Sequence, residues 1–362
     1  MTTSIDPLST AARVSTSYER YLGSILPVQE PRMRAALTAA IGSYGAVTKG
    51  PYLEASPPYE AGATIRDLVN EGVLCEETLG LTSAALPADR PLYRHQEQAI
   101  RKAASGRSLV VATGTGSGKT ESFLVPILDR LCREKTDGTL GPGVRALLLY
   151  PMNALANDQV KRLRSLLAHY PDITFGRYTG ETKELDDQAL DLYRNVQDGQ
   201  NPLPNELISR RQMRETPPHI LLTNFAMLEY LLLRPLDLDL FEGDYAGHWR
   251  WLAVDEAHVY SGAQGSEVAM LLRRLRHRVA RDDTQFQTIA TSATVGDDLA
   301  AVADFASGLT ASDVEYVAGE PERQDVIPAT RRELPSAGDW SLSDPSEFER
   351  LAATDDPDRE IR

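Results

Sequence analysis

The chain has 362 residues, 42% hydrophobic and 25% charged, so it can bury a sizeable core and form two or three domains, or one large one with extensions; composition argues against wholesale disorder. Its formal charge of −14 argues against a nucleic-acid coat protein, which would be basic overall, although a local groove of backbone amides and a few cations is compatible with it. With no C-x-x-C pair, no basic leader followed by an apolar run and no stretch of 18 apolar residues, it shows no zinc site, signal peptide or membrane span, and a cytoplasmic chain with free thiols is expected.

Residues 1–90 read as a mainly helical, partly irregular N-terminal extension. YERYLGSIL and RMRAALTAAI have helical spacing, and GPYLEASPPYEAG is a loop rich in turn formers. From Leu92 the texture changes. SLVVAT (108–113) predicts a strand, and KTESFLVPILDRLCRE (119–134) a helix that Pro126 should kink. VRALLLYP (144–151) is a buried strand followed by the helix ALANDQVKRLRSLLAHY, and ITFGRYTG (173–180) is the next strand. The polar segment 181–218, with NPLPN and ETPPH, reads as an insertion with some helix, packed over the sheet edge. HILLTN (219–224) is a strand leading into FAMLEYLLLRP. WRWLAVDEAH (249–258) is another, followed by the helix GSEVAMLLRRLRHRVAR, whose arginines read as a polar face, and QFQTIATSAT (285–294) closes the series. Residues 321–362 are rich in Pro, Asp and Ser and read as a linker. Strand–helix alternation with continuous apolar strands predicts an α/β fold: a parallel sheet with helices on both faces and all strand C-termini at one edge, where ligands bind. Residues 91–320 would form this domain.

The first chemical motif, ATGTGSGKT, runs from Ala112 to Thr120 between a strand and a helix. Gly116 and Gly118 let the backbone curl so that the amides of Thr113, Gly114, Thr115, Ser117 and their neighbours point at a polyphosphate. The helix N-terminus, opening at Glu121, adds a field that favours anions. Lys119 can reach the β- and γ-phosphates, and the Thr120 hydroxyl can ligate Mg2+. Thr113 stands where the general pattern has glycine. The second motif ends a buried strand at Asp255-Glu256-Ala257-His258. A carboxylate pair there suits Mg2+ binding by Asp255 and activation of a water by Glu256. His258 can hydrogen-bond the next strand end, Thr291-Ser292-Ala293-Thr294, making Ser292 and Thr294 part of a polar switch.

A phosphate loop, DEAH and TSAT in this order resemble the superfamily 2 DEAD/DEAH-box helicases. The resemblance implies a RecA-like P-loop NTPase fold with ATP and Mg2+ as cofactors. LYRHQEQAI (92–100) resembles the family's Q motif, which implies that Gln96 bonds the adenine edge and Tyr93 packs near the base; Arg94 and His95 are weaker candidates. YPMNALANDQ (150–159), YTGE (178–181) and Thr223-Asn224 resemble the motifs that line the nucleic-acid track. They carry Pro151, Asn153, Asn157, Thr179, Gly180, Thr223 and Asn224, at strand ends and helix starts that can offer donors to phosphates. Over residues 50–310, GPYLEASPPYEAG, VRALLLYPMNALANDQ and VDEAHVYSGAQGSEVAMLLRRL resemble a bacterial branch of mitomycin-repair and phage-defence helicases, which implies DNA more than RNA. In the family a second RecA-like lobe supplies an arginine finger. No matching string follows Thr294, and 68 residues remain. The chain is therefore expected to carry the first lobe only, completed by a second lobe or a partner subunit. A non-hydrolysing nucleotide- or DNA-binding module, or an ATP switch in a larger complex, is the alternative.

Overall fold

The computed structural model describes residues 6–43, 47, 57–81, 86–114, 116–279, 286–293 and 298–332. The chain divides into two compact units, 1–57 and 58–362. The first contains α1 (Pro7–Ile25) and α2 (Pro31–Ile41). Pro31 opens α2, where its missing N–H costs no helical bond, and the Glu30 carboxylate accepts from the Met33 N–H at 2.6 Å.

The second unit is the α/β domain. Its helices are α3 (Ile65–Asn70), α4 (Arg94–Ala104), α5 (Glu121–Thr136), α6 (Asn153–Leu167), α7 (Asp186–Val196), α8 (Arg210–Glu215), α9 (Phe225–Leu233), α10 (Gly262–Val279) and α11 (Leu299–Thr310). Its strands are β1 (Leu109–Ala112), β2 (Ala146–Tyr150), β3 (Phe175–Arg177), β4 (Glu206–Leu207), β5 (Ile220–Asn224), β6 (Trp251–Val254), β7 (Gln287–Ser292) and β8 (Val326–Pro328). They form one sheet in the order β4-β3-β5-β2-β6-β7-β1-β8, with every pairing parallel.

Alternation along each strand builds two cores. Leu109 and Val111 of β1, and Ala146, Leu148 and Tyr150 of β2, join the core with side chains of α3 to α6. Val110, Ala112, Leu147 and Leu149 join the opposite core with α9, α10 and α11. This is why the strands read as continuous apolar runs: both faces are covered. Each fully buried leucine here contributes roughly 1.5–3 kcal/mol. The α10 arginines lie on the polar face of their helix, with Leu271, Leu272, Leu275 and Val279 buried beneath. Arg273 donates to the Gly308 carbonyl at 2.8 Å, and Arg276 to the Ser312 hydroxyl at 2.8 Å. α5 continues through Pro126.

The sheet unit differs in extent from the stretch 91–320. It begins at Pro58, because Ile65, Leu68, Leu74 and Leu81 are buried in the α3–α6 core. It extends past residue 320, because β8 pairs with β1 inside the expected linker. Segment 181–218 holds α7, β4 and α8, and β4 is itself the outermost strand. Among the described residues no helix is long and apolar enough to cross a membrane.

Candidate nucleotide site and strand track

The phosphate loop leaves β1 and enters α5. The Thr113 N–H donates to the Ser292 carbonyl at 3.0 Å, so the loop starts pinned to the end of β7. Gly116 and Gly118 have φ of +76° and +69°, the left-handed region the curl needs. A Cβ on Gly118 would also lie 2.5 Å from Gln96 Nε2. The Thr113 and Ser117 hydroxyls share a hydrogen bond, and Thr115 lies outside the described residues. Lys119 is buried; its Nζ donates to the Thr113 carbonyl at 3.2 Å and sits 3.4 Å from Glu256 Oε1.

The N-terminus of α4 braces this loop. Gln96 accepts from the Tyr93 N–H at 2.7 Å and donates to the Gly118 carbonyl at 2.7 Å. The amide that the resemblance assigns to the base is thus engaged with the loop, with one N–H and one lone pair left over. His95 Nε2 lies 3.0 Å from the Ser117 carbonyl and donates to it. Burial holds the His95 imidazole below its usual range, the Ser117 carbonyl opposing and Lys119 adding to the effect. Two residues that sequence reasoning missed complete the surroundings. Tyr59 packs 5.2 Å from the Tyr93 ring and 5.4 Å from His95, and Arg331 lies 4.7 Å over the Tyr59 ring. Neither belongs to a motif; Tyr59 sits in a turn-rich loop, and Arg331 follows β8. The Arg94 guanidinium turns away to Glu60 at 2.8 Å.

β6 delivers the carboxylates to the same edge. The Asp255 N–H donates to the Leu149 carbonyl at 2.9 Å, and its carboxylate accepts from the Thr291 hydroxyl. Burial raises the Asp255 pKa; the Thr291 bond opposes this, Glu256 adds to it, and Lys119 opposes it. Glu256 has φ +50°, a conformation costing a non-glycine residue about 1–2 kcal/mol. Its N–H donates to the Thr291 hydroxyl at 3.1 Å, which helps to hold it there. His258 Nδ1 accepts from the Ala293 N–H at 3.3 Å and lies 3.4 Å from Glu256 Oε2. The DEAH turn is therefore joined to the β7 end through Thr291 and Ala293. Ser292 contributes its carbonyl to Thr113, and Thr294 lies outside the described residues. For a cation the edge offers the Thr120 hydroxyl and the Asp255 carboxylate. This sparse set of hard oxygens suits Mg2+, which takes its other ligands from phosphate and water.

The expected track residues lie at the ends of β2, β3 and β5. The Asn224 side chain caps α9 by accepting from the Met227 N–H at 2.7 Å, and donates to Asn153 Oδ1 at 2.8 Å. Asn153 opens α6 and donates to Glu181 at 3.1 Å. Asn157 accepts from Arg177. Pro151 precedes α6, and Gly180 has open space where a side chain would stand. Thr179 and Thr223 do not offer their hydroxyls outward as expected. Both are fully buried, and the Thr223 hydroxyl donates to the Tyr178 carbonyl at 2.6 Å. They shape the strand ends and leave the surface to asparagines and backbone.

A phosphate loop and an acidic strand end meeting on one edge of a parallel sheet define a RecA-like P-loop NTPase domain. Residues 93–302 match the family model of the DEAD/DEAH box helicase. The chain belongs to that family. It is 30% identical to the Druantia protein DruE of Escherichia coli (strain UMEA 4076-1), the match covering 79% of this chain and 20% of DruE. It is 31% identical to the ATP-dependent helicase YprA of Bacillus subtilis (strain 168), covering 56% of this chain and 23% of YprA. The chain thus spans about a fifth of the length of these relatives. Its fold resembles that of the DUF1998 helicase MrfA bound to DNA, with TM-score 0.52 and 24% identity over 76% of this chain and 29% of that one. It also resembles that of Mss116p bound to ssRNA and AMP-PNP, with TM-score 0.51 and 19% identity over 71% of this chain and 45% of that one.

Proposed function

We propose that this chain binds ATP with Mg2+ and forms the first lobe of a DNA-dependent motor, coupling hydrolysis to strand movement when a second lobe or partner subunit completes it. The observation that carries the reading is the 3.4 Å approach of Lys119 to Glu256 at the shared strand edge. Lys119 is poised to exchange a carboxylate for a phosphate. Glu256, relieved of its cation, then serves as the base that orients and deprotonates a water. Thr120 and Asp255 would hold Mg2+, which supplies charge neutralisation at the phosphates. Tyr59 and Tyr93, backed by the buried His95, form an aromatic wall beside the loop for a base. Asn153, Asn157, Gly180 and Asn224 offer polar edges to a strand. The preference for DNA rests on the resemblance of residues 50–310 to the bacterial repair and defence branch, and it belongs to the proposal.

ATP hydrolysis by the purified chain, with ssDNA, with ssRNA and with neither, tests this. Without an arginine facing the γ-phosphate, turnover by residues 1–362 alone is expected to be slow, since such a group contributes about 10³–10⁵ in related phosphoryl transfers. Glu256→Gln should abolish turnover while retaining ATP binding, and Lys119→Ala should abolish binding. Equal turnover in wild type and Glu256→Gln sinks the hydrolytic reading; stimulation by ssRNA alone sinks the DNA assignment.

A further inference from the structure

We infer that Gln159 is a positioning residue that ties the strand-facing helix α6 to the metal-ligating hydroxyl of Thr120, an inference that rests on the nucleotide reading above. α6 has three distinct sides. Asn153 and Asn157, one turn apart, bond Asn224 of the track and its neighbours Glu181 and Arg177. Ala156, Val160, Leu163 and Leu167 bury the helix against the sheet. Gln159 and Arg162, three residues apart, contact the start of α5 instead: Gln159 Nε2 donates to Thr120 Oγ1 at 3.3 Å, and Arg162 pairs with Glu121. From Asn153 to Gln159 the helix rises about 9 Å, so one rigid rod reaches both sites.

The polar bookkeeping around Thr120 is unfinished. Gln159 Oε1, Glu121 Oε2 and the Ser122 hydroxyl are buried without a hydrogen-bond partner. A hydroxyl oxygen that gives a lone pair to a cation is a poorer target for a donor, and its proton needs an acceptor. Gln159 carries that acceptor unused. Rotating its amide by half a turn places Oε1 toward the Thr120 hydroxyl, which then donates and keeps its lone pairs for the metal. The amide therefore has two states, one suited to a metal-free hydroxyl and one to a ligated one. Being anchored on α6, it lets whatever seats Asn153 and Asn157 bias the choice, and by linkage the bias is reciprocal.

The test uses the full chain and a fluorescent ATP analogue, titrated at equilibrium with and without Mg2+ and with and without oligo-dT. In the wild type, with Mg2+, oligo-dT is expected to change nucleotide affinity by a factor of about five or more. Gln159→Met, similar in length but lacking both polar atoms, should bring that factor close to one while nucleotide binding without oligo-dT persists. Gln159→Glu, which keeps the acceptor, should restore it; a merely structural role would not give that pattern. A wild-type factor of one, or full coupling in Gln159→Met, overturns the relay while leaving nucleotide binding intact. A wild type that takes up no nucleotide overturns the ATP reading itself.

Discussion

At the residue scale the site is built from groups with two duties. Gln96 holds the phosphate loop by the Gly118 carbonyl, and Gly118 must adopt φ +69° directly beneath that amide. Gly118→Ala meets both constraints at once: a left-handed backbone costs about 1–2 kcal/mol, and the new Cβ falls 2.5 Å from Gln96 Nε2. The expected outcome is a stability loss of about 1–2 kcal/mol and at least a tenfold loss in nucleotide affinity, read by denaturation and by titration of a fluorescent nucleotide. An alanine variant binding as tightly as wild type would show that the loop relaxes freely and that Gln96 does not brace it. The motif residues were legible because their chemistry is local: a curled loop needs glycine and an anion needs lysine. Tyr59 and Arg331 were not legible, since their meeting depends on β8 bringing residue 331 back beside a loop 272 residues earlier.

At the element scale, the strands and their partner helices were readable because both faces of a parallel sheet are buried, which leaves unmistakable apolar runs. β8 escaped because three residues, Val326–Pro328, set among Asp, Glu and Pro, carry no periodicity; pairing with β1 gives them their structure. Residues 58–81 escaped for a similar reason, their buried leucines being spaced by turns. The opposite edge of the sheet is held by a buried polar cluster that no motif announces. Arg145, at the start of β2, lies 2.9 Å from Glu134 and donates to the Gly141 and Gly143 carbonyls. His219, at the start of β5, accepts from the Thr174 N–H at 2.9 Å on Nδ1 and faces the Gly141 carbonyl at 3.1 Å on Nε2. Burial, then the Arg145 charge, push the His219 pKa down to about 4; the Gly141 carbonyl and Glu134 oppose this, and His248 adds to it. The folded value is depressed, so the fold excludes a proton that the unfolded chain binds. The stabilisation is complete above the unfolded value of about 6.5 and is lost as pH falls through 4. It amounts to roughly 3 kcal/mol. Denaturation of wild type and His219→Gln at several pH values between 7 and 4 checks this: the wild type should lose stability more steeply than the variant. Parallel curves would place the acid sensitivity elsewhere.

At the scale of the whole molecule, the charge of −14 sets the terms on which a strand can be held. The candidate track is made of Asn153, Asn157, Gly180, Asn224 and backbone. Two nearby arginines are committed: Arg177 to Asn157 and Glu181, and Arg210 to the Thr179 carbonyl at 3.2 Å. Such a surface neutralises few phosphates, so few counterions leave on binding. For single strands the slope of log K against log salt is about −0.7 per neutralised phosphate. One or two contacts then predict a slope of about −1, far shallower than for a basic binding protein. Fluorescence anisotropy of labelled oligo-dT across a salt series measures it directly. A slope near −1 would mean that recognition runs through amides and helix starts, so that α6 and α9 carry the affinity and substitutions at Asn153 or Asn224 should weaken it at every salt. A slope steeper than about −3 would require four or more cations, more than the track residues proposed here supply. The strand would then lie elsewhere, with the arginine face of α10 as the first surface to mutate.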